Sequence, residues 1–138
     1  MYYQANRFRA VAAENPASAR SWDQPPLKAA FGRPDMSETV MDMCAFGKVR
    51  PDTGLHVRKK TRIEGTPEVC EAVSRRCPGG HKHQAIEGTM KLDTPSGKRS
   101  VPVSTWAGGY TQVLCTYVLN GAEKYLQNRD KNIYRPFQ

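Results

Sequence analysis

The feature that most constrains the fold is an amphipathic segment near the C-terminus, residues 111–128, which begins TQVLCTYV. Its apolar residues recur at helical spacing, which predicts a helix with one apolar stripe. The stripe consists of Val113, Leu114, Tyr117, Val118, Gly121 and Tyr125. Such a helix must bury its stripe against another layer of structure. We expect a polar tail at 129–138, and Gly121 should weaken the helix by up to about 1 kcal/mol relative to alanine.

The elements that precede this helix are short. In residues 7–14, Phe8, Ala10 and Ala12 alternate with Arg7, Arg9 and Val11 before Asn15-Pro16, which predicts a strand that ends in a turn. The prolines after Asp23 favour a short helix, and the alternation at 39–46 predicts a second strand.

The elements predicted in the middle of the chain are also short. The run HVRKKTRI at 56–63 is predicted to be extended, and a short helix capped by Thr66 should run to about Arg76. A glycine-rich loop follows, and TPSGKRS at 94–100 is a turn between two short strands.

The order strand, helix, strand, strand, helix, loop, helix is typical of an α/β fold, but it supplies too few strands for a complete doubly wound sheet. A chain of 138 residues has room for one domain, and its apolar share of 38% with a mean hydropathy of -0.67 predicts a thin core. We therefore predict a single α/β half-domain over residues 1–128, with an incomplete sheet and a C-terminal amphipathic helix.

The charge of the chain favours a polyanionic partner. The formal net charge is +8 and the isoelectric point is about 9.5. An extended 56–63 segment would place Arg58, Lys60 and Arg62 on one side, with Lys59 in the same run, so DNA or RNA is the expected partner. No run approaches the ~20 apolar residues of a membrane span, and the first ten residues lack the apolar core of a signal peptide. We expect an intracellular protein without a membrane partner, and the sequence leaves nucleus and cytoplasm open.

Three motifs in order resemble a known family. ENPASARSW follows the first strand, DMCAFG ends the second, and VRKKTRI is the basic strand. Together they resemble the latter half of the catalytic domain of cytosine-C5 DNA methyltransferase-like proteins, and, more vaguely, segments of retroelement-type polyproteins. The resemblance implies a Rossmann-like fold, S-adenosylmethionine as cofactor and a cytosine flipped out of the duplex. It also implies that Glu14 and Asn15 match the family's Glu-Asn-Val tripeptide, with Pro16 in place of valine, and that Glu14 hydrogen-bonds the base.

The resemblance covers roughly residues 1–92, and two of the family's elements lie outside it. The chain has neither a Gly-x-Gly loop near a first strand nor a Pro-Cys dipeptide, since Cys77-Pro78 runs in the reverse order. In the family these elements hold the cofactor and supply the nucleophile. We therefore expect no catalysis by the free chain, and S-adenosylmethionine would require a separate cofactor-binding half. The interpretation without a ligand is that Glu14 only caps the following turn.

Cysteine and histidine form a second pattern, independent of the resemblance. The motif Cys77-x3-His81-x-His83 lies in the glycine-rich loop, and Cys44 or Cys70 could complete a tetrahedral zinc site. Our predicted ligands are Cys44, Cys77, His81 and His83. The alternative is that the cysteines are small buried hydrophobes and the histidines hang in a polar loop. Cys115, beside Leu114, is expected in the core.

Three functions are compatible with the sequence, and the third is an interaction protein that binds no ligand. The first is an inactive methyltransferase-like fragment or polyprotein segment that keeps a basic surface for nucleic acid. The second is a small zinc-stabilised module that binds nucleic acid or protein.

Overall fold

The structure, a computed structural model, describes residues 9–133 as a mixed α/β arrangement. Two short 3-10 turns, Arg20–Asp23 and Met43–Phe46, accompany the regular elements. The strands are β1 (Ala12–Pro16), β2 (Ser37–Asp42), β3 (Lys60–Gly65), β4 (Thr89–Thr94) and β5 (Gly97–Pro102). The helices are α1 (Pro25–Phe31), α2 (Pro67–Ala72), α3 (Val103–Ala107) and α4 (Gln112–Ile133). Among these helices, none has the length and apolarity needed to cross a membrane.

A three-stranded sheet lies at the centre, with β3 between β1 and β2. Both neighbours are antiparallel to β3, and Asp42 on β2 lies opposite Lys60. Side chains alternate along β3, so Thr61 and Ile63 are buried. Arg62 consequently lies on the opposite face from the core.

The core lies between this sheet and two helices. α2 and α4 pack against each other, and Leu114 of α4 reaches the buried methionines of the sheet region. The buried cluster consists of Met41, Met43, Phe46, Ile63, Cys70, Val73 and Leu114. Thr111 starts α4, because its hydroxyl accepts a hydrogen bond from the backbone N–H of Leu114. The amphipathic helix of the C-terminus therefore closes the core.

A hairpin of β4 and β5 forms a second, two-stranded sheet. α3 follows it directly, and Val103 and Ala107 of that helix are buried. Lys48 holds the end of α3, since its ammonium donates to the carbonyls of Trp106 (3.0 Å) and Gly109 (2.6 Å). The same ammonium lies 4.2 Å from the centre of the Trp106 ring, so this tryptophan packs within the protein.

The later elements agree with the sequence better than the earlier ones. The C-terminal helix and the hairpin about the 94–100 turn are confirmed, although the helix runs on to Ile133 through part of the predicted polar tail. The first strand starts at Ala12 and contains Pro16, and the predicted positions 7 and 8 lie outside the described residues.

Three predicted boundaries were wrong. The strand predicted at 39–46 ends at Asp42, because the chain turns into a 3-10 segment that buries Met43 and Cys44. The basic strand begins at Lys60, so Arg58 precedes it, and the helix expected to reach Arg76 ends at Ala72. Thr66 does not cap that helix with its side chain; its hydroxyl accepts a hydrogen bond from the backbone N–H of Val11.

The prediction that Cys115 lies in the core was also wrong, since its side chain is exposed. Neighbouring residues on a helix point about 100° apart. With Leu114 buried, the Cys115 side chain therefore points in a different direction and stays exposed.

Gly121 marks the closest approach of α2 and α4. A Cβ atom at this position would lie 2.7 Å from the Cα of Val69 and 2.8 Å from the carbonyl oxygen of Glu68. Both are backbone atoms, so neither can move aside without shifting the helix. The glycine that weakens the isolated helix is thus required for its packing.

We predict that Gly121→Ala destabilises the protein by about 1–3 kcal/mol, the usual cost of overpacking. Helix propensity alone predicts the opposite sign, a gain of up to about 1 kcal/mol. Urea unfolding measures the difference. Asn120→Ala, at the neighbouring exposed position of α4, is the control and should stay within about 0.5 kcal/mol of the parent. Stabilisation by Gly121→Ala would contradict the helix contact.

Candidate metal centre

Four side chains from two separate parts of the chain meet beside the end of β2. Cys44 lies in the 3-10 turn Met43–Phe46, and Cys77, His81 and His83 lie in the loop after α2. One potential ligand atom from each residue lies within 4.8 Å of the others. Cys44 is buried, whereas His83 is exposed, so the group lies at the surface with one side against the core.

The separations among Cys77, His81 and His83 match a tetrahedral metal site, and the Cys44 sulfur lies within 4.8 Å of the other three ligand atoms. The Cys77 sulfur is 3.4 Å from His81 Nε2 and 3.3 Å from His83 Nε2, and the two Nε2 atoms are 3.0 Å apart. Zinc bonds of about 2.3 Å to sulfur and 2.0–2.1 Å to nitrogen place tetrahedral S and N ligands about 3.5 Å apart, and two N ligands about 3.3 Å apart. The residues present therefore fit a zinc ion with little rearrangement.

A buried carboxylate fixes the position of the Cys77 backbone. Asp42, at the end of β2, is fully buried and accepts a hydrogen bond from the backbone N–H of Cys77 (2.9 Å). The guanidinium groups of Arg76 (2.9 Å) and Arg58 (3.3 Å) donate to the same carboxylate. The backbone N–H of Asp42 in turn donates to the carbonyl of Arg75. These bonds fasten residues 75–77 to the edge of β2.

The charge state of Asp42 follows from these contacts. Burial by itself would raise the pKa of the carboxyl, but the Cys77 N–H and the two guanidinium groups outweigh it, so the pKa lies below its usual value. Asp42 is therefore ionised at neutral pH, with its charge balanced by two partly exposed arginines.

His56 supports the loop from the other side. Its ring stacks on that of His81, with centres 4.0 Å apart and planes 17° from parallel. Its carbonyl accepts a hydrogen bond from the backbone N–H of Gln84, and a single β-bridge joins His56 to His83. Otherwise residues 74–88 contain no helix or strand. Among the described contacts, the loop depends mainly on Asp42, His56 and the four-residue group.

Protonation in the metal-free site is set by burial and by the neighbours. Burial and the adjacent Cys77 together raise the pKa of Cys44 to about 11. Burial lowers the pKa of His81, and the His56 and His83 rings act in the same direction. His81 is thus poised as the neutral imidazole that binds metals, whereas zinc must displace a proton from Cys44.

The predicted basic face is only partly available. Arg62 pairs with Glu38 (2.6 Å) and also with Glu64, and its guanidinium lies 5.1 Å from the Trp22 ring. Lys59 lies 3.7 Å from Glu14. These two cations are neutralised by carboxylates of the sheet.

The other residues predicted to contact nucleic acid, Arg58, Lys60 and Asn15, differ in whether they have a partner within the protein. Arg58 shares Asp42 with Arg76, whereas Lys60 is exposed and has no carboxylate partner among residues 9–133. Asn15 donates from its side-chain amide to the hydroxyl of Ser21 (3.0 Å), which ties β1 to the turn that follows it.

Glu14 lies apart from the Cys/His group. Tyr110 donates its hydroxyl to Glu14 Oε2 (2.5 Å), while Oε1 is buried and has no hydrogen-bond partner among the described residues. The two residues border an apolar recess of about 380 Å³ between β1 and α4. Burial and the contact with Glu14 raise the pKa of Tyr110 to about 12.

Comparison of the chain with protein-family models, curated proteins and solved structures finds no match.

Two important neighbours of the centre escaped the sequence analysis. Asp42 is a charged residue between Met41 and Met43 in an otherwise apolar run, and such a charge needs a buried partner. That signal was present in the sequence. His56 carried no comparable signal, because its contact with His81 depends on how the loop folds.

We predict that Asp42→Asn lowers the free energy of unfolding by on the order of 2 kcal/mol, since hydrogen bonds to a charged group are lost. Urea unfolding at saturating zinc measures the change. Asp93→Asn on the exposed hairpin removes the same charge and should have an effect within about 0.5 kcal/mol. Equal effects of the two substitutions would show that Asp42 does not hold the loop.

We also predict that Glu14→Gln brings the pKa of Tyr110 down towards the ordinary value of about 10, because the carboxylate that favours the protonated phenol is removed. NMR titration of the Tyr110 ring measures this pKa. Glu123→Gln on the exposed side of α4 is the matched control and should leave it unchanged. A Tyr110 pKa that is the same in both variants would contradict the contact with Glu14.

Proposed function

We propose that this chain is a small zinc-stabilised α/β module, in which one zinc ion bound by Cys44, Cys77, His81 and His83 has a structural role. The observation that carries the proposal is the convergence of two sulfur and two nitrogen donors within 4.8 Å of one another from distant parts of the chain, with Cys77, His81 and His83 at tetrahedral separations.

The donor set favours a structural role over a catalytic one. Catalytic zinc sites usually have three protein ligands and leave a fourth position for water or substrate, whereas four protein ligands close a tetrahedral site. Two thiolates would also cancel the charge of the ion. Zinc here supplies cross-linking, and the residues of this chain supply the ligands.

The position of the site indicates which part of the fold the cross-link would stabilise. It joins the 3-10 turn after β2 to the loop 77–83, across a stretch in which residues 74–88 lack regular structure. Loops of this length are uncommon in compact domains unless something holds them. A metal that binds only the folded chain adds its binding free energy to the stability of the fold.

Zinc content and thermal stability test this function. The purified chain should contain one zinc per molecule, and a chelator should lower its melting temperature. Cys44→Ser and Cys77→Ser should each bring bound zinc close to zero, because a serine hydroxyl is a poor zinc ligand. Cys115→Ser, which changes an exposed cysteine outside the group, should keep the full zinc content.

Cobalt substitution gives an independent measurement. Co²⁺ in the site should show the strong visible absorption of tetrahedral coordination together with a thiolate charge-transfer band, and Cys115→Ser should retain both. A chain that folds fully with substoichiometric zinc, or that keeps its melting temperature in chelator, would refute the structural metal.

Glu14 favours a second candidate function, the methyltransferase-like half-domain with a Rossmann-like relationship. Its support is a carboxylate beside a recess of about 380 Å³, whose Oε1 lies 3.7 Å from the Lys59 ammonium and has no hydrogen-bond partner among the described residues. The order of the motifs ENPASARSW, DMCAFG and VRKKTRI adds to it. A glutamate of this kind can accept a hydrogen bond from the edge of a cytosine. The antiparallel pairing of every strand among the described residues lends this candidate no support, since Rossmann-like sheets are mostly parallel.

Binding of 2′-deoxycytidine tests the second candidate. The nucleoside should shift the NMR signals of Tyr110 and Leu114 in the parent chain, and Glu14→Gln should abolish the shifts. Shifts that persist in Glu14→Gln, or none in the parent, would count against base recognition by Glu14.

A further inference from the structure

Four cations belong to the segments that meet at Asp42, the last residue of β2. Arg58 and Arg76 share the buried Asp42, and Lys60 lies opposite Asp42 in the sheet register. Arg75 lies next along the same edge. We refer to Arg58, Lys60, Arg75 and Arg76 as the cationic ridge.

The ridge keeps most of its charge for an external partner. Asp42 can balance only one of the two guanidinium groups bound to it. Among the described residues, neither Lys60 nor Arg75 has a carboxylate partner, and the Arg75 guanidinium instead lies 4.3 Å from the centre of the Tyr117 ring. Arg62 and Lys59, by contrast, are paired with glutamates, so Arg58 and Lys60 are the members of the predicted basic run that contribute to the ridge.

A surface depression, which we call the basin, adjoins the ridge and could hold an anion. It has a volume of about 410 Å³ and is lined by Ala45, Ser74, Arg75, Arg76 and Pro78. Two guanidinium groups and a hydroxyl are the donors that proteins commonly offer to phosphate oxygens. The basin adjoins the metal centre, since Ala45 and Arg76 are the neighbours of Cys44 and Cys77 in sequence.

We propose that the cationic ridge binds the phosphate backbone of a nucleic-acid duplex, with one phosphate in the basin between Arg75 and Arg76. This inference rests on the proposed function, because the metal ligand Cys77 follows Arg76 directly and fixes this edge of the fold. The net charge of +8 fits a polyanionic partner. Proteins that favour single strands stack bases on exposed aromatic rings. Among the described residues, the exposed aromatic is Tyr110, which lies with Glu14 instead of on the ridge.

The metal acts on this surface through geometry and not through charge. Two thiolates and one Zn²⁺ sum to zero, so loading the site adds no net charge. The ion instead holds the segment that carries Arg75 and Arg76 against β2, with the two guanidinium groups of the basin in fixed positions.

The test measures binding of the zinc-loaded chain to a short mixed-sequence duplex DNA by fluorescence anisotropy over a range of salt concentrations. The variant is Lys60→Ala with Arg75→Ala, which removes two ridge cations that do not bind Asp42. We expect weaker binding and a slope of log affinity against log salt that is shallower by about 2, one unit for each lost phosphate contact. Lys91→Ala with Lys98→Ala on the exposed β4–β5 hairpin removes the same charge and should leave the slope unchanged.

Other probes identify the partner. Duplex RNA in a parallel titration distinguishes the two sources of a duplex backbone, and binding of either duplex through the ridge supports the proposal. Equal slopes for the two double variants, tighter binding of single-stranded DNA, or equal binding of poly-glutamate would each overturn it. Zinc analysis of every sample separates the two proposals: full zinc without a ridge effect refutes the ridge alone, whereas a ridge effect in a zinc-free folded chain refutes the structural metal.

Discussion

The buried carboxylate of Asp42 is the interaction on which the site and its surroundings depend. A fully buried charge is tolerated only where it is paired and hydrogen-bonded, and Asp42 meets that requirement with Arg58, Arg76 and the backbone N–H of Cys77. The need to satisfy one carboxylate therefore draws a segment from beyond α2 to the edge of β2. The same contacts bring Cys77 next to Cys44 and gather the arginines of the ridge.

The sequence predicted the elements that have strong local signals. The C-terminal helix has a long apolar stripe, and the β4–β5 hairpin has a turn rich in proline and glycine, so both could be recognised without tertiary information. The spacing Cys77-x3-His81-x-His83 likewise identified three side chains that lie beside Cys44 in the structure.

What the sequence missed depends on long-range packing. The alternation of side chains at 39–46 predicted one strand, but the strand ends at Asp42 and a 3-10 turn follows. In this turn two consecutive residues, Met43 and Cys44, are both buried, whereas a strand with one face in solvent would expose one of them. Arg62 was predicted to be a free cation, since one of its two carboxylate partners, Glu38, is 24 residues away in sequence. Helix propensity alone predicted that Gly121 weakens the helix, but a side chain at this position would collide with the backbone of α2.

The burial of the cysteines has a practical consequence for following this protein in solution. Of the four thiols, Cys115 alone is exposed, Cys70 and Cys44 are buried, and Cys77 is half-buried within the Cys/His group. A maleimide dye should therefore attach first at Cys115, at the surface of the long helix and away from that group. Because zinc masks the sulfur atoms that it binds, the number of dye molecules taken up per chain would report how much of the sample has lost its metal.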